Sequence, residues 1–317
     1  MTTELTADKS VTDESVADAF DALLIIGHGT RDPAGLAEFR FFVDQVAGQR
    51  PDWRVAGCFL ELADPSIQLA VDRLAASGMS RIRAMPLVLF SAGHAKRDIP
   101  NALAQAIARN PGVEIELCPP LGCHRAILEL SVERCRQALL EQATAGQAAV
   151  SPEETLLILV GRGSSDSEAT AEMRRLADLR RSGLASHGIG RQSGHAATGS
   201  AVRSETAASR ASTEDADFRL AHIEIGFVAV ATPSLGKVLE EAARTDFRRV
   251  IVQPHLLFAG SVLAEIHRLV ERQQLAEAGG AISGRQWMVT KALGPDRRLV
   301  TAVVDIVSAV TPRSHGD

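Results

Sequence analysis

The chain has 317 residues, a formal net charge of −5 at pH 7 and only 4% aromatic residues. This length is enough for two domains of ordinary size, and the charge and the low aromatic content argue against a nucleic-acid-binding surface. The four cysteines form no Cys-X-X-Cys pair, which suits a reducing compartment, and no apolar run approaches the roughly 20 residues that span a bilayer. We therefore expect a cytoplasmic protein that binds neither nucleic acid nor a membrane.

Apolar runs rich in Val, Ile and Leu recur along the chain, and each is followed by a helical pattern. Continuous apolar strands that alternate with amphipathic helices are typical of parallel sheets covered on both faces. The sequence therefore predicts an α/β fold made of two fused, doubly wound, parallel-sheet domains related by internal duplication. The predicted strands lie at 22–27, 54–60, 82–90, 113–118, 155–161, 222–231, 249–258 and 286–291.

The duplication can be followed residue by residue. Pro65-Ser66 recurs as Pro233-Ser234, and Phe90 recurs as Phe258, each 168 positions later. The predicted organisation is a disordered tail over residues 1–20, a first domain over 21–146 and a second over 147–317. The second domain contains a segment rich in Ser, Gly and Ala at about 182–217, which predicts a disordered insertion.

Three side chains with metal-binding or acid-base chemistry follow predicted strands of the first half. His28 stands in a Gly-His-Gly turn after the first strand, Glu61 ends the second strand, and His94 follows the third. Ligand-binding groups of a parallel sheet collect where its strands end, so the three side chains are expected to share one cleft. Two imidazoles and a carboxylate form either a ligand set for a borderline metal ion or an acid-base cluster.

The second half lacks all three of these side chains. At the corresponding positions stand Arg162 for His28, Ala229 for Glu61 and Val262 for His94. The glycines, the Pro-Ser pairs and Phe90/Phe258 are kept. Loss of the polar set together with retention of the packing residues predicts one site per chain, with the second half kept for its shape.

Four segments occur in the order and spacing of a known family: LLIIGHGTRDP, FLELADPSI, MPLVLFSAGHAKRDIP and PPLGCHRAI. The chain resembles the sirohydrochlorin chelatases of the CbiX/SirB type, in the long form with two fused chelatase-like domains. The resemblance covers nearly all of the chain except the N-terminal tail and the 182–217 insertion. Each motif alone is weak, but four in register with a degenerate second copy are specific.

The resemblance implies insertion of a divalent ion into sirohydrochlorin without a nucleotide, either Co²⁺ for cobalamin or Fe²⁺ for siroheme. His28 and His94 fall on the two metal-binding histidines of the family, and Glu61 sits where an acidic residue would assist. We expect Co²⁺ because two-domain members are often cobaltochelatases, although Fe²⁺ and Ni²⁺ make similar demands on nitrogen and oxygen ligands. A monomer is expected, since the fused halves already supply two lobes.

Sirohydrochlorin is a polycarboxylate, so a cleft that binds it needs cationic side chains. Five basic residues lie beside the two histidines, at the start of the last helix of the first half or across the predicted cleft. These candidate substrate-binding residues are Arg31, Lys96, Arg97, Arg125 and Arg162.

Structural alternatives exist for several of these residues. Glu61 could cap the following helix or pair with a lysine, and Arg162 could form a salt bridge with Asp166. His255, which has Leu87 as its counterpart, is expected to be a core or rim histidine. His124 is expected at the N-terminus of a helix.

Two other functions compete with the chelatase hypothesis. The Gly-His-Gly turn is similar to the Arg-His-Gly of histidine phosphatases, but Gly27 stands where that chemistry requires an arginine. The second alternative is a metal or tetrapyrrole carrier that uses the same histidines without turnover.

Overall fold

The computed structural model describes residues 20–90, 93–183, 220–277 and 284–310, with the exception of the His94 and Ala95 side chains. The predicted tail over residues 1–20 and the predicted insertion at 182–217 lie outside the described residues, apart from Phe20 and residues 182–183. Phe20 belongs to the core instead of the tail, because its ring packs edge-on against Trp53 with centroids 5.1 Å apart.

Each half consists of four strands that alternate with four helices. The elements of the first half are β1 (Ala22–Gly27), α1 (Pro33–Gln49), β2 (Arg54–Phe59), α2 (Ile67–Ala76), β3 (Arg81–Pro86), α3 (Gly93–Arg109), β4 (Glu114–Leu117) and α4 (Arg125–Thr144). Those of the second half are β5 (Thr155–Gly161), α5 (Ser167–Ser182), β6 (His222–Phe227), α6 (Leu235–Ala243), β7 (Arg249–Pro254), α7 (Ser261–Glu277), β8 (Gln286–Val289) and α8 (Arg297–Ala309).

The strands form two four-stranded parallel sheets of the same topology. Their orders are β2-β1-β3-β4 and β6-β5-β7-β8, and the two central strands of each sheet are buried along almost their whole length. The predicted α/β fold with two duplicated parallel sheets is therefore confirmed.

Three strands end four residues before the predicted apolar runs do, since β3 ends at Pro86, β6 at Phe227 and β7 at Pro254. After β3 the chain turns, and the N–H of Val88 donates to the Pro86 carbonyl at 2.9 Å. The apolar residues beyond Pro86 are covered by the other half of the molecule and not by neighbouring strands. Apolar character alone does not distinguish these two kinds of burial.

Helix starts repeat in the same places in both halves. Asp32 accepts a hydrogen bond from the Ala34 N–H at 2.9 Å and begins α1, and Asp166 accepts one from Glu168 at 3.0 Å and begins α5. His124 begins α4 by accepting from the Ala126 N–H, which confirms its predicted place at a helix N-terminus.

The last helix of each half packs on the sheet of the other half. α8 lies beside α1 on the first sheet, where Leu299 and Val303 are buried in the same core as Ile25. α4 lies beside α5 on the second sheet, and its Leu128 and Cys135 are buried there. On this face of each sheet the core is shared between the halves, whereas the opposite face of each sheet buries a core within its own half, around Ile26 in the first and Ile158 in the second. An apolar helix face does not by itself specify which sheet it covers.

A buried arginine fixes this exchanged arrangement. Arg83 on β3 is 4% exposed, and its guanidinium donates to the carbonyls of Val307 at 2.8 Å and Val310 at 2.6 Å, at the C-terminal end of α8. A cation at a helix C-terminus also interacts favourably with the helix dipole. Arg83 therefore ties the second half's last helix to the first sheet.

Within the described ranges, every helix is too short or too polar to cross a bilayer.

Candidate functional site

His28 and Glu61 lie side by side at the carboxyl end of the first sheet. The His28 Nε2 atom is 3.3 Å from the Glu61 Oε1 atom, and the two side chains are 42% and 55% exposed. The Glu61 N–H donates to the His28 carbonyl at 3.1 Å, which holds the two loops together. Gly29 has a φ of 98°, and a Cβ atom there would lie 1.7 Å from the Glu61 carbonyl oxygen. Only glycine therefore allows this approach.

The second half has the same backbone hydrogen bond between its two loops, but it has neither the imidazole nor the carboxylate. The Ala229 N–H donates to the Arg162 carbonyl at 2.9 Å, and a Cβ atom on Gly163 would meet the Ala229 carbonyl oxygen. Arg162 is thus the structural counterpart of His28, and Ala229 that of Glu61. The duplication retained the loop geometry while the imidazole and the carboxylate were replaced.

The backbone of His94 lies in the first turn of α3 and not directly after β3. α7 begins at Ser261, one residue before Val262, as α3 begins at Gly93, one residue before His94, so the predicted correspondence holds. The His94 side chain lies outside the described residues, and its convergence with His28 stays a prediction. Among the side chains that are described, no group of three His, Cys, Asp or Glu residues is placed to hold a metal ion.

A cleft of about 400 Å³ lies between the two halves beside His28. Its floor and walls are mostly apolar, and the second half contributes most of them. The first half supplies His28, Leu87, Val88, Leu89, Phe90, Gly93 and Arg97, and the second half supplies Gly161, Arg162, Gly163, Ser164, Ser165, Ala169, Thr170, Met173, Phe227, His255, Leu256 and Leu257.

Two of the five predicted cationic residues line this cleft. Arg97 and Arg162 are exposed, and neither side chain forms an ion pair or a hydrogen bond with another residue of the described ranges. Arg31 and Arg125 lie outside the lining, and Arg125 donates to Glu129, one helical turn along α4, at 2.7 Å. The structure brings Arg97 and Arg162 together with His28 in the cleft lining and leaves Arg31 and Arg125 outside that lining.

Lys96 connects the first turns of α3 and α5 across the two halves. Its Nζ atom lies 2.8 Å from the Asp166 carboxylate and also contacts Glu168. Hydrogen bonds to these carboxylates raise the pKa of Lys96, and the hydrogen bond from Lys96 lowers the pKa of Asp166. The alternative in which Arg162 pairs with Asp166 is wrong, because Lys96 occupies that carboxylate.

The floor of the cleft contains His255, whose ring stacks on Phe90 with centroids 5.4 Å apart. His255 is 3% exposed, and neither of its ring nitrogens has a hydrogen-bond partner among the described residues. Burial, and next the charge of Arg180, lower the pKa of His255 to about 3, so the imidazole is neutral. The prediction of a core or rim histidine is confirmed, since His255 is both buried and adjacent to the cleft.

The crevice that the duplication would place opposite this cleft is filled. Phe258 packs against Phe39 and Phe42, with ring centroids 6.2 Å apart in both cases. The Ala259 N–H donates to Glu38 at 2.7 Å, and the Ala259 carbonyl oxygen occupies the space that a side chain on Gly35 would need. The asymmetry seen in the sequence therefore extends to the shape of the molecule.

Comparison with known proteins places the chain in a family. The CbiX family model matches residues 22–138 and 184–310. A sirohydrochlorin ferrochelatase of Priestia megaterium is 28% identical over 255 residues, which is 80% of each chain. A sirohydrochlorin cobaltochelatase of the same organism is 24% identical over 259 residues, covering 80% of this chain and 70% of the relative.

A solved structure, SirB from Bacillus subtilis with Fe³⁺, has the same fold, with a TM-score of 0.68, 22% identity and coverage of 92% of this chain and 96% of that chain. The two sheets and the cleft between them are those of a two-lobed α/β protein of the chelatase type. The chain belongs to the CbiX family. The resemblance found in the sequence is confirmed, and so is the enzyme class, since the named relatives are metal chelatases.

Proposed function

We propose that the chain is a sirohydrochlorin cobaltochelatase, which inserts Co²⁺ into sirohydrochlorin without a nucleotide. The observation that carries this proposal is the His28–Glu61 pair, 3.3 Å apart, beside a mostly apolar cleft that Arg97 and Arg162 border. Relatives named as sirohydrochlorin chelatases support the choice of substrate.

In this proposal His28 and Glu61 receive the metal ion, which is a substrate of the reaction, and His94 supplies a second imidazole. Imidazole nitrogen and carboxylate oxygen are suitable ligands for Co²⁺ and Fe²⁺. Because both described side chains are about half exposed, a hydrated ion reaches them from solvent. A small ligand set leaves positions open on the metal, so the ion is held transiently and passes to the ring nitrogens.

The tetrapyrrole must lose two N–H protons as the metal enters. His28 and Glu61 are the described acid-base groups beside the cleft, and a group at hydrogen-bond distance from its substrate accelerates such a transfer. Glu61 is the more exposed of the two, and it passes a proton on to solvent without a further relay. The pair thus serves both the metal and the protons.

The cleft binds the faces and the edge of the ring through different residues. Its apolar walls suit the macrocycle, and Arg97 and Arg162 pair with its carboxylates. Lys96 already pairs with Asp166 and Glu168, so it meets the substrate only by exchanging partners. We therefore propose Arg97 and Arg162 as the main anion-binding residues, ahead of Lys96, Arg31 and Arg125.

Fe²⁺ is the second candidate metal, because the ferrochelatase relative matches the chain as extensively as the cobaltochelatase. The donor atoms of His28 and Glu61 suit both ions. The test is an anaerobic assay of sirohydrochlorin absorbance with Co²⁺, Fe²⁺ and Ni²⁺, each compared with a protein-free control. Faster insertion of Co²⁺ supports the proposal, faster insertion of Fe²⁺ selects the ferrochelatase, and no acceleration with any ion means a carrier.

We further propose that the protein acts as a monomer in the cytoplasm, since its two halves form both walls of the cleft. Sedimentation of the full chain tests this state.

A further inference from the structure

The fold does not require a histidine at the floor of the cleft. The His255 N–H donates to the Val160 carbonyl at 2.7 Å, and the Leu87 N–H donates to the Ile26 carbonyl at 2.8 Å in the first half. Both side chains border the cleft from equivalent positions. A leucine therefore meets the packing needs of this position, whereas a buried imidazole without hydrogen-bond partners is costly.

A buried positive charge acts on this histidine. Arg180 on α5 is 6% exposed, and its guanidinium donates to Ser131 Oγ, to Gln253 Oε1 at 3.5 Å and to Cys135 Sγ at 3.9 Å, all of which are uncharged. No carboxylate of the described ranges pairs with Arg180. Its charge acts on the His255 ring. The cleft floor thus combines an uncharged N–H donor with a buried cation that has no anionic partner among the described residues.

We propose that His255, with Arg180 behind it, is a seat for one carboxylate substituent of the tetrapyrrole, an inference that rests on the proposed chelatase function. The neutral imidazole donates its N–H to a carboxylate oxygen, and the buried guanidinium stabilises the anion through a medium of low dielectric constant. Arg97 and Arg162 on the walls of the cleft bind further carboxylates. The second half, which lost the metal ligands, then supplies the specificity for the substrate.

Phe90 controls access to this seat. Its ring stacks on the imidazole with an angle of 29° between the two planes, and both ring nitrogens of His255 are covered. Phe90 also borders the cleft. The carboxylate reaches the imidazole when the Phe90 side chain turns aside, a rotamer change of a kind that is common at binding surfaces.

The test compares the wild-type protein with the variants His255→Leu and His255→Asn. Leucine is the residue of the equivalent position in the first half, and asparagine keeps a neutral N–H donor. Dissociation constants for metal-free sirohydrochlorin come from absorbance titrations, and kcat and KM come from insertion assays. We expect His255→Leu to weaken sirohydrochlorin binding about 10- to 100-fold with little change in kcat, and His255→Asn to recover part of the affinity.

Sirohydrochlorin with all of its carboxyl groups methyl-esterified is the matched control ligand, because it has no carboxylates. The wild type and His255→Leu should bind this ester equally. The proposed carboxylate seat would be wrong if the wild type and His255→Leu bound the free acid with equal affinity. It would also be wrong if His255→Leu lost as much affinity for the ester as for the acid. If the wild type binds the acid through His255 but inserts no metal, the seat stands and the chelatase proposal fails. If the wild type does not bind the acid, both fail.

Discussion

At the scale of single residues, two histidines that border the same cleft differ in exposure and in hydrogen-bonding surroundings. His28 is half exposed, lies 3.3 Å from a carboxylate and stands at the carboxyl end of a strand. His255 is buried without hydrogen-bond partners in the described ranges, and its pKa is lowered to about 3. The first has the surroundings of a metal-handling, proton-accepting group, and the second those of an uncharged donor.

Replacement of His28 by alanine should reduce metal insertion on the order of 100-fold or more, because the change removes both a metal ligand and a proton acceptor. The measurement is the initial rate of sirohydrochlorin metallation. His267→Ala is the matched control, since His267 is exposed on α7 and lies outside the cleft lining. Near-wild-type turnover by His28→Ala, with unfolding by urea unchanged, would contradict the proposed site.

His255 should make the protein sensitive to acid. Its pKa is about 3 in the folded protein against 6.5 for an ordinary histidine, so the unfolded chain takes up the proton first. The contribution of His255 is therefore intact above pH 6.5, and between pH 6.5 and 3 the free energy of unfolding falls by about 1.4 kcal/mol per pH unit.

The variant His255→Leu should not show this fall in the free energy of unfolding at acid pH. Urea unfolding gives the free energy of unfolding of both proteins at pH 7.5 and at pH 5. Between these pH values this free energy should fall by about 2 kcal/mol more in the wild type than in the variant. His267→Leu, at an exposed position, should follow the wild type. Equal losses in the wild type and in His255→Leu would mean that the imidazole is not buried in solution.

At the scale of elements, Arg83 holds α8 against the first sheet. Its two hydrogen bonds reach carbonyl groups at the end of the helix, and its guanidinium also lies 4.6 Å from the centre of the Phe20 ring. One residue therefore joins β3, the C-terminal end of α8 and the beginning of the described chain.

The variant Arg83→Met should lower the free energy of unfolding by about 2–4 kcal/mol, because buried carbonyl groups and Glu116 lose a charged partner. Urea unfolding of the full chain at pH 7.5 measures this change. Arg54→Met is the control, since Arg54 is exposed on the edge strand β2 and its loss should cost no more than about 0.5 kcal/mol. Equal stabilities of the two variants would show that Arg83 does not anchor α8.

The sequence predicted these elements well, but not all of their contacts. The internal duplication identified Arg162 and Ala229 as counterparts of His28 and Glu61, and the backbone hydrogen bonds show the same pairing. The ends of β3, β6 and β7 were extended too far, because burial between the halves has the same apolar signature as burial in a sheet. The partners of Lys96 are remote in sequence, and no local pattern indicates them.

At the scale of the whole molecule, the exchange of α4 and α8 makes the two halves depend on each other. Each sheet would expose an apolar face if the other half were removed, since α8 covers the first sheet and α4 covers the second. The cleft also has walls from both halves. We therefore expect the duplicated units of this chain to unfold as a single cooperative structure.

Separate expression of residues 1–146 and 147–317 should give fragments that do not unfold cooperatively, because each lacks a helix that covers its sheet. Co-expression of the two fragments should restore a folded complex with the wild-type far-ultraviolet circular dichroism. The control is the full chain with a protease site between residues 146 and 147, which should stay folded after cleavage. Cooperative unfolding of either isolated fragment would show that its own sheet and helices are sufficient.

The sequence by itself determined the duplication, the parallel strands, the helix N-termini and the position of His28 after the first strand. Those features depend on apolar periodicity and on local hydrogen bonds, which are encoded within a few neighbouring residues. The tertiary structure alone decided which sheet α8 covers, that Arg125 is not part of the cleft lining, and that the charge of Arg180 acts on His255. These contacts join residues far apart in the chain, and they follow from how the two halves pack against each other.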